Sequence, residues 1–279
     1  MKIDGKFIAE EIKNKLKKQI SLLRSRNILP QLVVILIGDD PASQIYVRRK
    51  KKIGEEIGVQ VSVYNFHENM AKTELITLVN NLNKDNTVHG IIIQRPAPLD
   101  ITKEELDLMI TFEKDVDGFH PRSFFDPPIA KAIEKILEWV MGNTRHQSHA
   151  LDLFNWLNEK KILIIGRGET AGLPLDRYFH KLKIPHVVAH SQTKNIKELC
   201  LSSDIIISCV GRPHIVRQDM VTKKTILIGV GLHPENEKLT TDYDQEEIAS
   251  KAGYYTPVPG GVGPVNVACL FDNLISHLI

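Results

Sequence analysis

The chain has few cysteines and no long hydrophobic run, and both shortages exclude broad classes of protein. Cys200, Cys209 and Cys269 are its three cysteines in 279 residues, and none lies in a CxxC pair. An odd, sparse set provides neither a disulfide framework nor a zinc knuckle, which indicates a reducing compartment such as the cytoplasm. The longest apolar runs, such as residues 32–37, are far shorter than the ~20 residues of a membrane span.

An excess of charge of either sign is also missing. The 36 lysines and arginines nearly balance the 34 aspartates and glutamates, and the formal net charge is +2. Basic residues are dispersed except at residues 48–52, so nothing favours nucleic acid or a membrane surface as a partner. A length of 279 residues with 42% apolar residues suits one large or two medium globular domains.

Apolar runs and helical patterns alternate along the first part of the chain. Ile8, Ile12, Leu16 and Ile20 recur every four residues, which predicts an amphipathic helix and not a signal peptide. Continuous apolar runs separated by helices indicate a parallel sheet covered on both faces. The pattern predicts strands at residues 32–37, 59–63 and 90–94, and helices at residues 46–57 and 75–82.

The pattern changes at residues 118–128, which are rich in aromatic residues and prolines. Beyond them, a helix at residues 129–140 and a polar loop at 141–150 precede a second α/β series. That series predicts strands at 162–165, 185–189, 204–209 and 225–230, a helix at 173–182, and a last helix after Pro264.

These patterns predict an α/β protein of two domains, with a boundary near residues 119–128. Residues 1–122, together with a C-terminal helix at 265–279, form a three-layer α/β substrate domain in this interpretation. Residues 123–264 form a Rossmann-type domain, with a doubly wound parallel sheet that binds a cofactor.

The segment from Thr256 to Pro264 is unusually constrained, because six of its nine residues are glycine or proline. Such a segment cannot be the interior of a helix or a strand. We expect a loop that holds main chain against a flat ligand, with a tight structural turn as the alternative.

Gly166, Gly168 and Gly172 follow the apolar run 162–165 and precede a helical pattern. Glycines at such a turn let backbone N–H groups approach a pyrophosphate at a helix N-terminus. The spacing is GxGxxxG, one residue longer than the common dinucleotide motif. A turn capped by glycine without a ligand is the alternative interpretation.

The end of the next strand favours NADP over NAD. An NAD site usually has an acidic residue there to bind the ribose hydroxyls, but this chain has His190, Ser191 and Gln192. Arg167 beside the first glycine adds a guanidinium, which suits a ribose 2′-phosphate. Gly211 and Gly231 follow later strands and are further candidates for cofactor contact, whereas His190 is equally compatible with a purely structural role.

Tyr46 and Lys50 lie four residues apart on a predicted helix and therefore share one face. The ring can stack on a planar substrate, and a lysine near apolar surface can act as a general acid or base. Gln94 ends a buried strand, where its amide can bond a neighbouring lysine. Asp117 precedes Gly118 and can accept two N–H donors from a pteridine-like ring. The alternatives are a surface lysine, a strand terminator and an Asp-Gly turn.

Together, these segments resemble the methylenetetrahydrofolate dehydrogenase/methenyltetrahydrofolate cyclohydrolase family over nearly the whole chain. The matching segments lie at residues 38–43, 46–50, 88–94, 113–118, 165–174, 190–191, 210–213 and 256–264. Each is common alone, but their combination in this order is specific.

The resemblance implies an enzyme that oxidises methylenetetrahydrofolate with NADP and then hydrolyses the methenyl product to formyltetrahydrofolate. It implies that Lys50 transfers protons, Tyr46 stacks on the folate, Gln94 tunes Lys50 and Asp117 anchors the pterin, with Ser43 also at the substrate. The family pattern further implies an active-site cleft between the two domains, and a homodimer.

The remaining contacts also come from the resemblance. Pro259, Gly260 and Gly261 would wall the substrate site. The cofactor residues would be Gly166, Arg167, Gly168, Gly172, His190, Ser191, Gly211 and Gly231.

Departures from the family pattern cluster on the cofactor side. Ile129 replaces a threonine, Gly168 a serine, Gly229 an aspartate and Asn266 a threonine, and Gln192 stands where a basic residue is frequent. These changes leave open a cyclohydrolase with weak or lost dehydrogenase activity. Near the catalytic set, Arg95 follows Gln94 where leucine is common.

Three other interpretations remain open. A non-catalytic folate- or nucleotide-binding protein is disfavoured by the presence of Lys50, and a hydroxy-acid dehydrogenase by the lack of a visible His-Asp pair. His146 and His149, in an apparent insertion at residues 141–150, suggest a metal, but solvated loop histidines are the preferred interpretation. We therefore expect no metal site.

Overall fold

A computed structural model describes residues 1–144, 152–235 and 238–279, so His146 and His149 lie outside the described residues. The chain forms two compact units. The three-stranded unit contains Glu10–Pro128 and Val267–Ile279, and the five-stranded unit contains Met1–Ala9 and Ile129–Asn266. The units are defined by packing alone, so the functional domain boundaries at residues 122 and 264 stay a prediction.

The helices and strands of the described residues alternate along both units. The helices are α1 (Gly5–Ser25), α2 (Pro41–Ile57), α3 (Lys72–Lys84), α4 (Lys103–Met109), α5 (Pro128–Thr144), α6 (Asp152–Asn158), α7 (Gly172–Lys181), α8 (Ile196–Ser202), α9 (Gln245–Lys251) and α10 (Val262–Ser276). The strands are β1 (Gln31–Ile37), β2 (Gln60–Phe66), β3 (Gly90–Ile93), β4 (Ile162–Ile165), β5 (His186–Ala189), β6 (Ile205–Ser208), β7 (Ile226–Gly229), β8 (Leu232–Glu235), β9 (Lys238–Thr241) and β10 (Tyr254–Tyr255).

The three-stranded unit has the predicted three layers. Its parallel sheet has the order β2-β1-β3. Alternate residues of a strand point to opposite faces, and β1 is apolar on both. Leu32, Val34 and Leu36 pack in a core with residues of α1, α2 and α10. Val33, Ile35 and Ile37 pack in a second core with α3 and α4.

Helix α2 is fixed in position at its start and along its buried face. The Asp40 side chain caps it by accepting a hydrogen bond from the Ser43 backbone N–H at 2.7 Å, and Pro41 opens the first turn, both typical of a helix N-terminus. A Cβ atom on Gly54 would lie 2.3 Å from Val61 Cγ2. The missing side chain therefore lets α2 lie close to β2.

The C-terminal helix α10 holds the segment that follows β3 and α4. The buried Asn273 side chain donates hydrogen bonds to the carbonyls of Val116 and Asp126, both at 2.9 Å. Phe271, from the same helix, is fully buried. The helix predicted after Pro264 is thus present, and its later part, from Val267, packs with the three-stranded unit.

The five-stranded unit contains a parallel sheet of order β10-β7-β6-β4-β5. The chain runs from β4 outward to β5 and then returns to the other side of β4 at β6, so the strand order reverses there. Helices α8 and α9 pack against one face through Cys200 and Ile248. This is a Rossmann-type doubly wound arrangement, in which ligands bind outside the carboxyl ends of the strands at the reversal.

The structure differs from the predicted elements in several places. Helices α4, α6, α8 and α9 and strand β10 were not predicted. Helix α10 begins at Val262, so the last three residues of the segment 256–264 are helical and not loop. Residues 141–144 continue α5 and are not a polar loop, because the helical pattern of α5 has no breaker before them. The antiparallel hairpin of β8 and β9 was not predicted, since its residues are mostly polar and include a proline.

Two further expectations concern burial. No helix of the described residues is long and apolar enough to cross a membrane. All three cysteines are buried free thiols, in agreement with the absence of a disulfide framework.

Asp242 organises the loop that follows β6. Its fully buried carboxylate accepts hydrogen bonds from the backbone N–H groups of Val210 at 2.9 Å, Gly211 at 2.7 Å and Arg212 at 3.0 Å, and from the Ser208 hydroxyl. A buried carboxylate requires such donors. The β8–β9 hairpin, which ends just before Asp242, thereby places an acceptor under the carboxyl end of β6.

We expect Asp242→Asn to lower the free energy of unfolding by about 1–3 kcal/mol, because the amide directs N–H groups at backbone donors. Urea denaturation of both proteins measures this. Asp100→Asn is the control, since Asp100 is exposed and its replacement is expected to be nearly neutral. An Asp242→Asn variant as stable as the wild type would contradict this account of the loop.

Candidate active site

The centre of the three-stranded unit's candidate site is a hydrogen bond between Lys50 and Gln94. Lys50 Nζ donates to Gln94 Oε1 at 2.9 Å, and the Lys50 residue is only 8% exposed. Lys50 lies on α2, which follows β1, and Gln94 lies at the carboxyl end of β3, which pairs with β1. Lys50 is therefore not a solvated surface lysine, and the bond expected between the two side chains is present.

Burial changes the proton chemistry of this amine. It lowers the pKa of Lys50 from the ordinary lysine value, and the negative charge of Asp117 opposes part of that shift. Removal of water disfavours the charged form of an amine. A larger fraction of Lys50 is therefore neutral near pH 7 than for a solvated lysine, which suits a group that must both accept and return a proton.

The backbone carbonyl of Arg95 gathers the polar groups around this pair. Gln94 Nε2 donates to it at 3.0 Å, and the Ser43 hydroxyl donates to it at 3.5 Å. Ser43 is buried in the first turn of α2. The Gln94 amide is thus oriented with its oxygen toward Lys50, and Ser43 lies in the same cluster.

Tyr46 lies one helical turn before Lys50 on α2 and is partly buried. Burial raises the pKa of its phenol, while the positive charge of Arg49 acts in the opposite direction. The ring therefore stays neutral at physiological pH and can present an apolar face to a planar ligand.

The segment before Gly118 contributes two carboxylates, of which the sequence analysis selected one. Asp117 is half-buried, and its charge acts on Lys50. Asp115 is the group that was missed: it is 3% exposed, and burial raises its pKa to about 6. Its side chain accepts from the His120 N–H at 2.7 Å. Alternation of acidic residues at 113, 115 and 117 was the available signal.

The charged side chain of Arg95, a residue that departs from the family pattern, has its interaction partners within the three-stranded unit. Its guanidinium pairs with the Asp107 carboxylate, and both side chains are at least nine-tenths buried. It also lies 4.2 Å from the centroid of the Phe119 ring. The Arg95 side chain therefore has partners within the unit, and the Lys50–Gln94 bond is present beside it.

The glycine turn of the five-stranded unit has the geometry of a dinucleotide site. Gly166 has φ +103°, and its added Cβ would lie 2.9 Å from the Cys209 carbonyl oxygen. An added Cβ on Gly172 would lie 2.1 Å from the Gly166 carbonyl oxygen, whereas nothing lies within 4 Å of one on Gly168. The turn is closed around Gly166 and Gly172 and open at Gly168, so the residues present fit a bound pyrophosphate at the start of α7.

Gly211 and Gly231 lie beside each other at the ends of neighbouring strands. A Cβ on Gly231 would lie 2.3 Å from the Gly211 nitrogen and 2.5 Å from an Asp242 carboxylate oxygen. Gly211 has φ +74°, a conformation that favours glycine. The structure thus brings both predicted residues to the Asp242 loop.

The segment after β5 is a short turn with exposed polar groups. The His190 N–H donates to Thr193 Oγ1 at 2.9 Å, and its ring Nδ1 accepts from the Gln192 N–H at 3.3 Å. His190 therefore shapes this turn, while Ser191 is exposed beside it. Arg167, at the glycine turn after the neighbouring strand β4, is exposed too.

The proline-glycine loop belongs to the five-stranded unit and is held at its base. The Tyr243 hydroxyl donates to the Thr256 carbonyl at 2.6 Å, and the Gln245 amide bonds both the N–H and the carbonyl of Val258 at 2.9 Å. Pro259 is exposed, Gly260 half-buried and Gly261 buried. The loop is rigid at Thr256 and accessible at Pro259.

Gly229, which also departs from the family pattern, leaves space for the side chains that hold the base of the proline-glycine loop. A Cβ atom at Gly229 would lie 2.2 Å from Thr241 Oγ1 and 2.9 Å from the Tyr243 hydroxyl. The Gly229 N–H donates to Thr256 Oγ1 at 2.8 Å. The volume that a larger residue would need is therefore filled by Tyr243 and Thr241.

Two family models match the chain and together cover most of it. The catalytic domain of tetrahydrofolate dehydrogenase/cyclohydrolase matches residues 3–117, and the NAD(P)-binding domain of the same family matches residues 152–278. The Bifunctional protein FolD of Ligilactobacillus salivarius is 35% identical over 275 residues, which are 98% of this chain and 95% of that protein.

Solved structures agree with the sequence relatives. The crystal structure of the bifunctional enzyme FolD-methylenetetrahydrofolate dehydrogenase/cyclohydrolase from Campylobacter jejuni is 36% identical, with a TM-score of 0.88, over 100% of this chain and 98% of that one. The FolD of Trypanosoma brucei, complexed with NADP cofactor and inhibitor, is 28% identical, with a TM-score of 0.85, over 100% and 97% of the two chains. The resemblance inferred from the motifs is confirmed: this chain belongs to the tetrahydrofolate dehydrogenase/cyclohydrolase family.

Proposed function

We propose that this protein oxidises methylenetetrahydrofolate to methenyltetrahydrofolate with NADP and then hydrolyses the product to formyltetrahydrofolate. The observation that carries the proposal is the buried Lys50 amine, which is bonded to Gln94 and influenced by the charge of Asp117. In a binding protein without catalysis, a buried lysine of lowered pKa would cost stability and bring no benefit.

In this mechanism the folate ring system stacks on Tyr46, and the Asp117 carboxylate accepts N–H donors of the pterin. Bound NADP supplies the hydride acceptor. Loss of hydride from the methylene carbon leaves a methenyl group whose positive charge is shared by the two adjacent nitrogens. That electron-poor carbon is then the electrophile for water, so the product of the first reaction is the substrate of the second.

Lys50 manages the proton of the hydrolytic step. The neutral amine accepts a proton from the attacking water as the new carbon–oxygen bond forms. The resulting ammonium returns that proton to the nitrogen whose bond to the carbon breaks. The hydroxyl on the carbon loses its own proton to solvent as the formyl carbonyl forms, and the product leaves. Gln94 Oε1 holds Nζ in one direction during both transfers, because it accepts one N–H of either protonation state.

On the cofactor side, the proposed contacts are backbone groups at Gly166, Gly168 and Gly172 to the pyrophosphate, and Arg167 with Ser191 to the ribose 2′-phosphate. The support is the open space at Gly168 and the lack of any acidic residue at residues 190–193. A carboxylate there would repel the phosphate.

We further propose that residues 1–122 and 265–279 form the folate-binding domain and residues 123–264 the NADP-binding domain. Assembly as a homodimer in the cytoplasm stays a prediction from the family resemblance.

A cyclohydrolase with weakened hydride transfer is the second candidate. Ile129 is buried where the family has a threonine, so a hydroxyl is lost there. The Oδ1 atom of Asn266, another replacement, is buried without a hydrogen-bond partner among the described residues. Separate assays of NADP reduction and methenyl hydrolysis distinguish the two: hydrolysis without reduction of NADP would select the second candidate.

We expect Lys50→Met to abolish methenyl hydrolysis while folate binding is retained, since the substitution removes the proton carrier and keeps the buried volume. The loss of absorbance of methenyltetrahydrofolate measures hydrolysis, and equilibrium dialysis measures binding. Lys51→Met is the matched control, because Lys51 is exposed on the same helix. Undiminished hydrolysis by Lys50→Met would refute the role assigned to Lys50.

The rate of hydrolysis is expected to rise with pH and level off as Lys50 becomes neutral, below the ordinary lysine pKa. Because Asp117 raises the pKa of Lys50, its removal in Asp117→Asn lowers that pKa further. The acid limb of kcat, measured at saturating substrate and corrected for uncatalysed hydrolysis, should therefore move to lower pH. A limb that stays in place, or moves to higher pH, would argue against Lys50 as the base.

Replacement of Arg167 tests the preference for NADP. Arg167→Ala should lower kcat/KM for NADP about tenfold, as loss of one charge-assisted contact implies, and leave kcat/KM for NAD unchanged. Arg177→Ala, on the exposed side of α7, is the control. Equal losses with both cofactors would show that Arg167 does not read the 2′-phosphate.

A further inference from the structure

A cluster of three metal-ligating side chains lies where α7 ends and β5 begins. Asp176 and His180 are one turn apart on α7, and His186 is the first residue of β5. One ligand atom from each residue lies within 4.8 Å of the other two. The cluster is formed by other residues than the candidate catalytic set and the glycine turn.

The hydrogen bonds of His186 leave one of its nitrogens facing an acceptor. Its Nδ1 atom lies 2.8 Å from the Ile184 carbonyl oxygen, which can only accept, so Nδ1 carries a hydrogen. Its Nε2 atom lies 2.9 Å from Asp176 Oδ1, an oxygen that also accepts. A neutral imidazole has one N–H, so with the hydrogen on Nδ1 the Nε2 lone pair points at the Asp176 oxygen, an arrangement that a metal ion shared by the two atoms would stabilise.

The surroundings of His186 favour the metal ion. The His186 side chain is only 3% exposed, and a carbonyl bond to Nδ1 fixes the tautomer with the Nε2 lone pair directed at the cluster. That is the usual second contact of a metal-binding histidine. A second histidine lies beside the same carboxylate: His180 Nδ1 is 3.0 Å from Asp176 Oδ1 and also 3.0 Å from the Asp176 backbone carbonyl oxygen.

The ligand set and its spacing suit a tetrahedral ion. Metal–ligand distances near 2.0–2.1 Å place ligand atoms about 3.3 Å apart, and the two distances to Asp176 Oδ1 are 2.9 and 3.0 Å. The His180 side chain is 73% exposed, so its ring has the space to leave the Asp176 carbonyl and turn a lone pair toward the cluster. Two imidazoles and one carboxylate are typical ligands of zinc-class ions.

We propose that Asp176, His180 and His186 bind one divalent transition metal ion of the zinc class, with solvent as the fourth ligand. The ion links the end of α7 to the start of β5. Helix α7 begins at Gly172, and β5 leads to His190, so each element has a proposed cofactor contact at the end opposite the ion. The link between them therefore stiffens both elements. Its role is structural, and metal binding raises the stability of the five-stranded unit.

No metal site was expected from the sequence, and these ligands match no common motif. Their spacing is four and six residues, and a loop separates the helix from the strand. Only the folded connection from α7 to β5 brings His186 back to the last turn of the helix.

Titration of Zn²⁺ into the full chain tests the proposal, after chelator treatment and without a polyhistidine tag. Isothermal titration calorimetry should give one ion per chain, and Zn²⁺ should raise the Tm. Co²⁺ in place of Zn²⁺ should produce the strong visible absorption of a four-coordinate ion. His180→Ala and Asp176→Asn should each weaken Zn²⁺ binding at least about tenfold, and His180→Ala leaves the fold intact because its side chain is exposed.

Two control variants identify where an ion binds. His67→Ala removes a solitary exposed histidine, and His146→Ala with His149→Ala removes the pair in the apparent insertion. Both should bind Zn²⁺ like the wild type. The proposal is overturned if the wild type binds no ion, if His180→Ala and Asp176→Asn bind it unchanged, or if the double variant loses it.

Discussion

The hydrogen bond between the Lys50 amine and the Gln94 amide is the interaction on which the candidate chemistry depends. An amine removed from water is unfavourable unless it is paired, and burial at this position makes its neutral form accessible near physiological pH. The surrounding structure serves to hold that bond. Gly54 lets α2 lie close to β2, Asp40 fixes the start of α2, and Gln94 directly follows β3, where its N–H bonds the Ile35 carbonyl.

Both units place their candidate residues by the same geometric rule. In a parallel sheet, the carboxyl ends of all strands meet at one edge, so loops distant in sequence become neighbours. Gln94 and α2 follow β3 and β1 in one unit, and Gly166, His190 and Gly211 follow β4, β5 and β6 in the other. Buried acceptors then shape the loops: the Arg95 carbonyl gathers Ser43 and Gln94, and the Asp242 carboxylate gathers the turn at Gly211.

The departures from the family pattern have local physical explanations in two cases. Gly229 accompanies Tyr243, whose ring and hydroxyl fill the space that a side chain at 229 would need. Arg95 accompanies Asp107 and Phe119, which neutralise and cover its guanidinium. The hydrogen bonds that support the proline-glycine loop and Gln94 are present beside these residues. Nothing in the structure explains Asn266, whose side-chain oxygen lacks a partner among the described residues.

The sequence by itself determined the order and type of the main elements. The spacing of apolar residues indicates which face of an element is buried, and the positions of glycines indicate where the backbone turns. It also determined the family, since motifs at 38–50, 88–94, 113–118 and 256–264 occur in one order. Only the tertiary structure decided which polar residues are buried and what they face. Asp115, Asp242 and the group of Asp176, His180 and His186 were missed because their significance arises from partners across strands and loops. Burial and proximity of that kind are set by packing, which local patterns do not encode.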